Sequence, residues 1–413
     1  MTAPLTVHVR VPARGVRPLA DVLAALEAAP PGQPFAEDAL ALADRFSRRL
    51  MASPLARTHP ELMALGFFMR KAELARARAE RAAAARPDVL EVPLGLVFHV
   101  PPANVDTIFM YSWLQSMLAG NANVVRLSSR SSPVVEHLCA LLDEVLAEPD
   151  LAALRARVAM VQYGHDDALT AALSARADLR VLWGGDAAIT AIRRAPLPAH
   201  ARELTFADRF SLVVLGAAEV RRCADEARAS LVEHLFNDLY WFDQAGCSSP
   251  RLCVWLGDEA TARAAATRLW PALAAHAERR GYHPDLAMRL AKDVFCHRAV
   301  LDGPVTARHL YGPALTILDV ASLDGLGRDH PGAGLLYQAF VASLEALEPW
   351  IARKDQTLTY FGVPREELLA LAQRLAGRGL DRLVPVGQAL QMARFWDGYD
   401  LASEFVRRVH VPL

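Results

Sequence analysis

Cysteine is scarce in this chain of 413 residues, and the five that it has are an odd number. No two of them stand at a spacing typical of zinc ligands, so the sequence predicts no metal site; they are Cys139, Cys223, Cys247, Cys253 and Cys296. A framework of disulfides is typical of short secreted proteins and is not expected at this length. We therefore expect reduced thiols in a cytoplasmic protein.

Net charge is nearly absent as well, at −1 with an isoelectric point near 6.9. This balance excludes a bulk electrostatic attraction to nucleic acid or to an anionic membrane surface. The longest apolar runs, such as "DRFSLVVLGAA", are too short to span a bilayer, and the first residues, "MTAPLTVHVR", lack the pattern of a signal peptide. The sequence therefore predicts a soluble protein without a membrane span.

Short apolar strands and helices alternate between about residue 92 and residue 216. The strands include "VPLGLVFHV", "NANVVRLSS", "RVAMVQYG" and "LRVLWGG", and Ser131 or Ser132 is the expected cap of one helix between them. Such alternation is typical of a parallel sheet covered by helices, whose ligands bind beyond the carboxyl ends of the strands. The pattern predicts a doubly wound α/β domain of the nucleotide-binding type.

The same pattern divides the chain into four regions. Residues 1–90 are expected to form a helical region that packs on the cofactor domain, which itself occupies residues 91–216. A second series of helices and strands predicts another α/β domain over residues 217–385, and this domain contains Cys247. Residues 386–413 form a tail with a β-like ending, which we expect to return to the cofactor domain or to join an oligomer interface.

Cys247 is the candidate nucleophile. It stands in "DQAGCSSPRLCVW", where small and polar residues predict a turn that leads into a strand. A thiolate on such a turn is a strong nucleophile that readily forms thioesters. The alternative is that the cysteine is simply a small buried side chain, which is the interpretation we prefer for Cys139, Cys223 and Cys253 in their apolar patterns.

Asn104 is a second candidate, in "HVPPANVDTIFMYS" between a strand and a helix. A side-chain amide beside the N–H groups of a helix start can stabilise a developing negative charge. Alternatively, Asn104 only caps the helix. The sequence has no G-x-G-x-x-G fingerprint, and the "WGGD" stretch is its most similar glycine-rich turn. This stretch also fits an ordinary turn between a strand and a helix.

Four separated blocks carry a family resemblance. They are "GLVFHVPPANVDTIFMYSWLQSMLAGNANVVRLSSRSS", "VLWGGD", "QAGCSSPRLCVW" and "LVPVGQALQMARFWDGYDL". In this order, from about residue 90 to the end, the chain resembles the LuxC-type acyl-CoA (fatty-acyl) reductases of the aldehyde dehydrogenase superfamily. The resemblance implies an α/β fold with two doubly wound, Rossmann-like domains, a helical N-terminal region and a C-terminal β tail.

The resemblance also implies site residues. Cys247 is similar to the family nucleophile, and Asn104 to the amide that forms an oxyanion hole with the Cys247 N–H. Arg126 stands where aldehyde dehydrogenases generally have a lysine that binds the adenosine ribose. Gly184 and Gly185 match the turn that lies against the dinucleotide pyrophosphate.

Two positions depart from the superfamily. In "HLYGPALTI", His309 replaces the glutamate that holds the nicotinamide ribose, so this contact is in doubt. In "RELTFADRFSLVV", Thr205 or Phe206 stands at the position of the general-base glutamate of hydrolytic members, and Glu203 is out of register. Without a base that activates water, an acyl thioester resists hydrolysis, which suits a reductase.

The resemblance also bears on the cofactor. NAD-preferring members have a glutamate three positions after the ribose-binding lysine, where this chain has Ser129 followed by Arg130. A hydroxyl and a guanidinium can accept a 2′-phosphate through charge-assisted hydrogen bonds. We therefore assign Ser128, Ser129 and Arg130 to cofactor binding and expect NADPH in preference to NADH, unless Arg130 is only a solvated surface charge.

The expected reaction is the reduction of an acyl thioester, on coenzyme A or a carrier protein, to an aldehyde through an acyl-Cys247 intermediate. Two alternatives remain open: an aldehyde dehydrogenase that makes a free acid with Glu203 as base, and a non-redox acyl-binding subunit. The resemblance further implies an acyl-activating partner enzyme and a homo-oligomer. The ending "RRVHVPL" could join a neighbouring subunit or form an ordinary edge strand.

Overall fold

The computed structural model describes residues 4–130 and 132–412, so Ser131 lies outside the described residues. Two compact units are present. The first comprises the chain up to residue 207 together with residues 392–395 and the chain from residue 399 onward. The second comprises residues 208–391 and 396–398.

The first unit consists of a sheet with helices between its strands and a helical region near the N-terminus. Its elements are β1 (Thr6–Val11), β2 (Gly15–Pro18), α1 (Leu19–Ala28), α2 (Glu37–Ala52), α3 (Pro54–Thr58), α4 (Pro60–Phe68), α5 (Lys71–Ala83), β3 (Val89–Pro93), β4 (Leu96–Val100), α6 (Ile108–Leu118), β5 (Ala122–Leu127), α7 (Pro133–Leu146), α8 (Ala152–Ala156), β6 (Val158–Gln162), α9 (Asp167–Ser174), β7 (Leu179–Trp183), α10 (Asp186–Arg193) and β8 (Arg202–Phe206). Ser132, one of the two expected caps, accepts a hydrogen bond from the Val135 N–H at the start of α7.

The sheet of this unit has the strand order β2-β1-β6-β5-β4-β7-β8. From β4 the chain adds β5 and β6 on one side and then β7 and β8 on the other, all in parallel. The connections therefore change direction between β4 and β7. At such a switch point the loops after neighbouring strands diverge and leave a crevice for a ligand.

The start of the chain departs from the expected helical region. Residues 1–90 were predicted to be helical, but β1 and β2 extend the first sheet, with β1 antiparallel to β6. The reason is a period of two in "TVHVRV", which buries Val7 and Val9 in one apolar cluster, whereas Val11, beyond an irregularity in the pairing, is buried in the cluster on the other face. The helices α1 to α5 occupy the rest of this region.

The second unit has the strand order β11-β12-β13-β10-β9-β14-β15, with β11 antiparallel and the other strands parallel. Its elements are β9 (Phe210–Gly216), α11 (Ala217–Arg222), α12 (Asp225–Tyr240), β10 (Pro250–Leu256), α13 (Glu259–Arg279), α14 (Leu286–Asp302), β11 (Val305–Tyr311), β12 (Leu315–Val320), β13 (Leu335–Val341), β14 (Asp355–Phe361), α15 (Arg365–Leu375) and β15 (Arg382–Pro385). Strand β13 was not foreseen from the sequence.

The boundary between the units also differs from the expected one at residue 216. Strand β9 lies near the centre of the second sheet, between β10 and β14, so the second unit begins at Asp208. Every residue of β9 is buried, because Leu212 and Val214 face one apolar cluster while Val213 and Leu215 face the other. A run buried on both faces fits a central strand of either sheet, and only the pairing decides between them.

The tail is shared between the units. It contains β16 (Phe395–Trp396), β17 (Tyr399–Asp400), α16 (Leu401–Glu404) and β18 (Val406–His410). Strand β18 pairs antiparallel with β3 of the same chain, which returns the tail to the first unit. Its participation in an oligomer stays a prediction. None of the helices among the described residues combines the length and the apolar character needed to cross a bilayer.

Candidate functional site

The turn that carries Cys247 joins α12 to β10 in the second unit. Asp243 and Gln244 both have positive φ angles, 51° and 61°, which residues other than glycine rarely adopt. Gly246 lies in a close-packed position, since a Cβ there would be 3.0 Å from Leu390 Cδ2. Backbone strain of this kind persists only where the surroundings hold it, and it occurs often at active sites.

The side chain of Gln244 holds this turn in place. Its Oε1 accepts the N–H groups of Gly334 and Leu335 at 2.9 and 3.1 Å, and its Nε2 donates to the carbonyls of Pro250 and Leu335 at 2.9 and 2.8 Å. The residue is buried, so these four bonds tie the turn to the starts of β10 and β13. Gln244 stands in the quoted "DQAGC" motif, but we assigned it no role from the sequence.

The Cys247 carbonyl is fixed as well, because it accepts a 2.7 Å hydrogen bond from the Ser211 hydroxyl of β9. The residue keeps partial exposure, whereas Cys139, Cys253 and Cys296 are buried. Surrounding protein desolvates the thiol and, with a smaller contribution from the charge of Asp397, raises the pKa of Cys247 to about 11. Cys223, also partly exposed, donates its thiol to the Val220 carbonyl at 3.0 Å.

Two polar residues beside the cysteine were missed by the sequence analysis. Gln356 of β14 is fully buried; its Oε1 accepts the Ser248 hydroxyl at 2.9 Å and its Nε2 donates to the Asp397 carboxylate. Asp397 and Gly398 have φ angles of 49° and 79°, which fits the turn preference of an Asp-Gly pair. The Asp-Gly pair in "FWDGYD" indicated the turn, but no feature of the sequence predicted its contact with Gln356, 41 positions earlier in the chain.

In the first unit, the predicted cofactor residues follow the carboxyl ends of neighbouring strands. Asn104 comes after β4, Arg126 is the last but one residue of β5, and Gly184 comes after β7, so all three stand at one edge of the sheet, around its switch point. Asn104 is exposed in a bend, and the cap position of α6 belongs to Thr107, three residues later. The alternative role of Asn104 as the N-cap residue of this helix is therefore wrong.

The basic candidates lie around the end of β5. Arg126 donates to the Gly164 carbonyl at 3.0 Å and lies over the Tyr163 ring, at 4.8 Å from the ring centre. Its Nε is buried without a partner among the described residues. Ser128 accepts the Arg130 N–H at 3.1 Å, and the side chains of Ser129 and Arg130 are exposed.

The glycine turn lies at the start of α10. Gly184 has a φ of 156°, which favours glycine, whereas Gly185 has an ordinary φ of −68° and open space where a Cβ would stand. Backbone geometry therefore requires glycine only at Gly184. The open space at Gly185, beside the first N–H groups of α10, and the unpaired Arg126 Nε fit a dinucleotide phosphate in this unit.

His309 lies on β11 in the second unit. Its Nε2 is 3.3 Å from the Asp319 carboxylate, which also accepts bonds from Arg263 and Gln338 at 2.9 and 2.7 Å. The ring thus has a partner within its own sheet, and its contact with a ribose stays a prediction.

Glu203 on β8 of the first unit is held by two arginines. Its carboxylate accepts bonds from Arg180 Nε and Nη2 at 2.7 and 2.5 Å and from Arg193 Nε at 2.6 Å. Phe206, a candidate for the base position, is buried and stacks on Trp183 with ring centres 3.7 Å apart. Both carboxylate oxygens of Glu203 are therefore occupied by hydrogen bonds from guanidiniums.

Comparison with known proteins agrees with these features. The profile of the family described as acyl-CoA reductase (LuxC) matches residues 88–292. No curated protein sequence matches the chain at a comparable level. The matched segment contains β4, the switch point and the Cys247 turn, and it indicates an oxidoreductase that acts on acyl or aldehyde groups.

The fold is shared with aldehyde dehydrogenases. Aldehyde dehydrogenase 21 from Physcomitrella patens, in complex with succinate, is similar with a TM-score of 0.69 and 12% identity, over 95% of this chain and 89% of that chain. An aldehyde dehydrogenase from Mycobacterium tuberculosis, complexed with NAD+, has a TM-score of 0.67 and 14% identity, over 100% and 96% of the two chains. The predicted fold class is confirmed: residues 88–292 match the family model of the LuxC acyl-CoA reductases, and the chain has the aldehyde dehydrogenase fold.

Proposed function

We propose that this protein is an acyl-thioester reductase, which takes an acyl group from coenzyme A or a carrier thiol onto Cys247 and reduces it to an aldehyde with NADPH. One observation supports this role above the others. Cys247 is a partly exposed residue on a strained turn, and Gln244 anchors that turn through four hydrogen bonds. A cysteine that only fills space in the core needs no such anchoring, whereas a nucleophile must be held in a fixed orientation toward its substrate.

The proposed reaction begins when Cys247 Sγ attacks the thioester carbonyl. The developing oxyanion is stabilised by the Cys247 N–H and, as the resemblance implies, by Asn104. The carbon–sulfur bond to the donor then breaks, and the donor thiol leaves with the proton that Cys247 gives up. After reduction of the acyl carbon, the bond to Cys247 Sγ breaks, the aldehyde departs, and the thiolate takes up a proton from solvent.

NADPH, when bound, supplies the hydride. Arg126, Ser129 and Arg130 would hold its adenosine ribose and 2′-phosphate, and Gly184 and Gly185 its pyrophosphate. The exposed hydroxyl and guanidinium at Ser129 and Arg130 support NADPH over NADH, because neither repels a phosphate. An acyl-activating partner enzyme and self-association also belong to this proposal, on the basis of the resemblance alone.

The bonds of Glu203 favour a reductase over an enzyme that releases a free acid. Hydrolysis of an acyl-cysteine needs a group that takes a proton from water. Glu203 was the candidate, and Arg180 and Arg193 occupy both of its oxygens. An acyl group on Cys247 would therefore persist long enough to be reduced.

Intact-mass spectrometry tests the proposal directly. The wild type, mixed with acyl-CoAs of several chain lengths, should gain the mass of one acyl group, and NADPH should remove it with release of aldehyde. Cys247→Ala should gain nothing, whereas Cys223→Ala, a control at the other partly exposed cysteine, should behave like the wild type. Acylation that survives in Cys247→Ala, or release of free acid in place of aldehyde, would contradict the proposal.

The choice of cofactor has its own test. Arg130→Ala should lower kcat/KM with NADPH about 10-fold or more and leave the value with NADH nearly unchanged, because only NADPH presents a phosphate to the guanidinium. Exposed Arg14 provides a control substitution in the same unit. A wild type that uses NADH as well as NADPH would overturn this part of the proposal.

A further inference from the structure

A series of buried hydrogen bonds joins β7, α6, β4 and β5 in the first unit. The indole N–H of Trp183, the last residue of β7, donates to Ser112 Oγ of α6 at 3.2 Å. Ser112 Oγ lies 2.8 Å from His99 Nδ1 on β4, and His99 Nε2 lies 3.1 Å from Asn123 Oδ1 on β5. Asn123 Nδ2 donates to the Asn121 carbonyl at 2.9 Å. All five residues are buried, and we call them the indole network.

The two ends of the indole network fix the direction of every bond in it. The Trp183 N–H can only donate, and the Asn121 carbonyl can only accept. Asn123 therefore turns its NH2 group to Asn121 and its oxygen to His99, so His99 carries its proton on Nε2. The unprotonated Nδ1 accepts the Ser112 hydroxyl, whose oxygen accepts the indole. Burial lowers the pKa of His99 to about 4, so the ring is neutral at pH 7, as this arrangement requires.

The indole is also packed against β8. Trp183 lies opposite Phe206 in the strand register, and the two rings stack with 3.7 Å between their centres and 11° between their planes. The next residue, Gly184, donates its N–H to the Phe206 carbonyl at 3.1 Å. The backbone of the glycine turn therefore starts from a side chain that is held by a hydrogen bond on α6 and by a ring stack on β8.

Ser112 connects the two sides of the switch point. Helix α6, which carries Ser112, follows the loop after β4, and the glycine turn follows β7. These are the two connections that diverge at the switch point, so a ligand there lies between them. The bond from Trp183 to Ser112 thus sets the position of one connection relative to the other.

We propose that Ser112 and His99 are positioning residues, which hold the indole of Trp183 and thereby keep the Gly184 turn in the orientation that receives the cofactor. This inference rests on the proposed function, because the cofactor is the dinucleotide assigned there. A turn that is already ordered costs less free energy when the cofactor binds. Loss of the indole bond should therefore weaken NADPH binding, whereas acyl transfer to Cys247, which precedes reduction, should continue.

Trp183→Phe tests the indole bond with little disturbance, because the smaller ring can still stack on Phe206. The Kd for NADPH, titrated by the fluorescence of the nucleotide, should rise about 5-fold or more, which is the value of one net hydrogen bond. The rate of acylation by acyl-CoA, followed by intact mass without NADPH, should stay near that of the wild type. Trp350→Phe is the matched control, since Trp350 in the second unit is equally buried, with 8% exposure, and packs on Phe210. This control should change neither value.

Two variants of His99 test the direction of the bonds. His99→Gln keeps an acceptor for the Ser112 hydroxyl and a donor for Asn123, so its Kd for NADPH should stay close to that of the wild type. His99→Leu offers neither group. The freed Ser112 hydroxyl then bonds to a carbonyl of the preceding turn of α6 and rotates away from the indole. The Kd should rise as in Trp183→Phe, by about 5-fold.

The indole itself provides a readout that needs no cofactor. The sequence has seven tryptophans, and the indole N–H signal that is missing from the nuclear magnetic resonance spectrum of Trp183→Phe identifies Trp183. In the absence of NADPH, this signal should shift in His99→Leu, because the N–H loses its acceptor, and should stay in place in Trp350→Phe.

An unshifted Trp183 signal in His99→Leu would overturn the inference, as would a Kd for NADPH in Trp183→Phe that equals the wild-type value. A parallel loss of acylation in Trp183→Phe would also overturn it, since that result indicates a general loss of structure. A wild type that binds NADPH with this dependence on Trp183 but accepts no acyl group would refute the reductase and leave the inference in place. Normal acylation with an unchanged Kd would do the reverse.

Discussion

The two units use opposite ends of their parallel strands. In the first unit, Asn104, Arg126 and Gly184 stand at the carboxyl ends of β4, β5 and β7, and several of their neighbours are exposed. In the second unit, Cys247 precedes the amino end of β10 and is surrounded by buried polar side chains such as Gln244 and Gln356. The first arrangement leaves room for a ligand, whereas the second fixes a single reactive atom.

This difference between the two units predicts that substitutions around Cys247 in the second unit mainly affect stability, whereas substitutions at the strand ends of the first unit mainly affect binding and activity.

Gln244→Ala should show the largest effect. It removes four hydrogen bonds and leaves buried backbone groups unpaired, so the free energy of unfolding should fall by about 4 kcal/mol. Chemical denaturation measures this loss, and Gln388→Ala, at an exposed glutamine of the same unit, should change it by less than about 0.5 kcal/mol. Equal losses of unfolding free energy in both variants would show that Gln244 does not hold the Cys247 turn in place.

Asn104→Ala tests the other side of the comparison. The side chain is exposed, so the melting temperature should stay near that of the wild type. Loss of one oxyanion donor should lower kcat by about 10²–10³-fold in the acyl-CoA reduction assay. A kcat close to the wild-type value would show that Asn104 has no such role. Asn104→Asp should be at least as poor, because its charge repels an oxyanion.

Acidification should lower the stability of the first unit and raise that of the second unit. Burial lowers the pKa of His99 in the first unit to about 4, so between pH 6.5 and 4 only the unfolded chain takes up that proton, and the unit loses about 2–3 kcal/mol of stability. Burial raises the pKa of Asp238 in the second unit to about 7, against the bonds from Gly387 and Ala389. The folded state then holds a proton that the unfolded chain releases above about pH 4, so this contribution to stability is lost as pH rises to 7.

Hydrogen exchange, measured for the amides of each unit at pH 7 and pH 5, tests these opposite changes in stability. Protection should decrease on acidification in the strands around His99 and increase around Asp238. His99→Gln should flatten the dependence in the first unit only, and Asp238→Asn in the second unit only. Parallel trends in both units, unchanged by these variants, would show that other groups control the response to acid.

The smallest effect is expected at the glycine turn. Gly185→Ala should fold like the wild type, since its φ is ordinary and the added Cβ meets nothing, but it should weaken NADPH binding by about 10-fold if the pyrophosphate lies there. Gly184→Ala, where φ is 156°, should instead lower stability. Fluorescence titration and thermal melting distinguish the two. Unchanged NADPH binding in Gly185→Ala would place the pyrophosphate elsewhere.

The sequence predicted the parallel strands, the glycine turn and the position of Cys247 ahead of a strand, because each is written in fewer than about 15 consecutive residues. It failed at β1 and β2, where a short alternating stretch was absorbed into a helical region. It also assigned β9 to the wrong sheet, since an apolar strand buried on both faces has no marker of its partners.

What the sequence determined by itself is the α/β periodicity, the family resemblance and the identity of the nucleophile that we propose. Only the tertiary structure decided which polar groups surround that nucleophile. Ser211, Gln356 and Asp397 reach the Cys247 turn because β9, β14 and the tail meet around β10, and strand pairing joins residues far apart in the chain. No local sequence pattern predicts such contacts, because they depend on which strands pair with one another in the folded sheet.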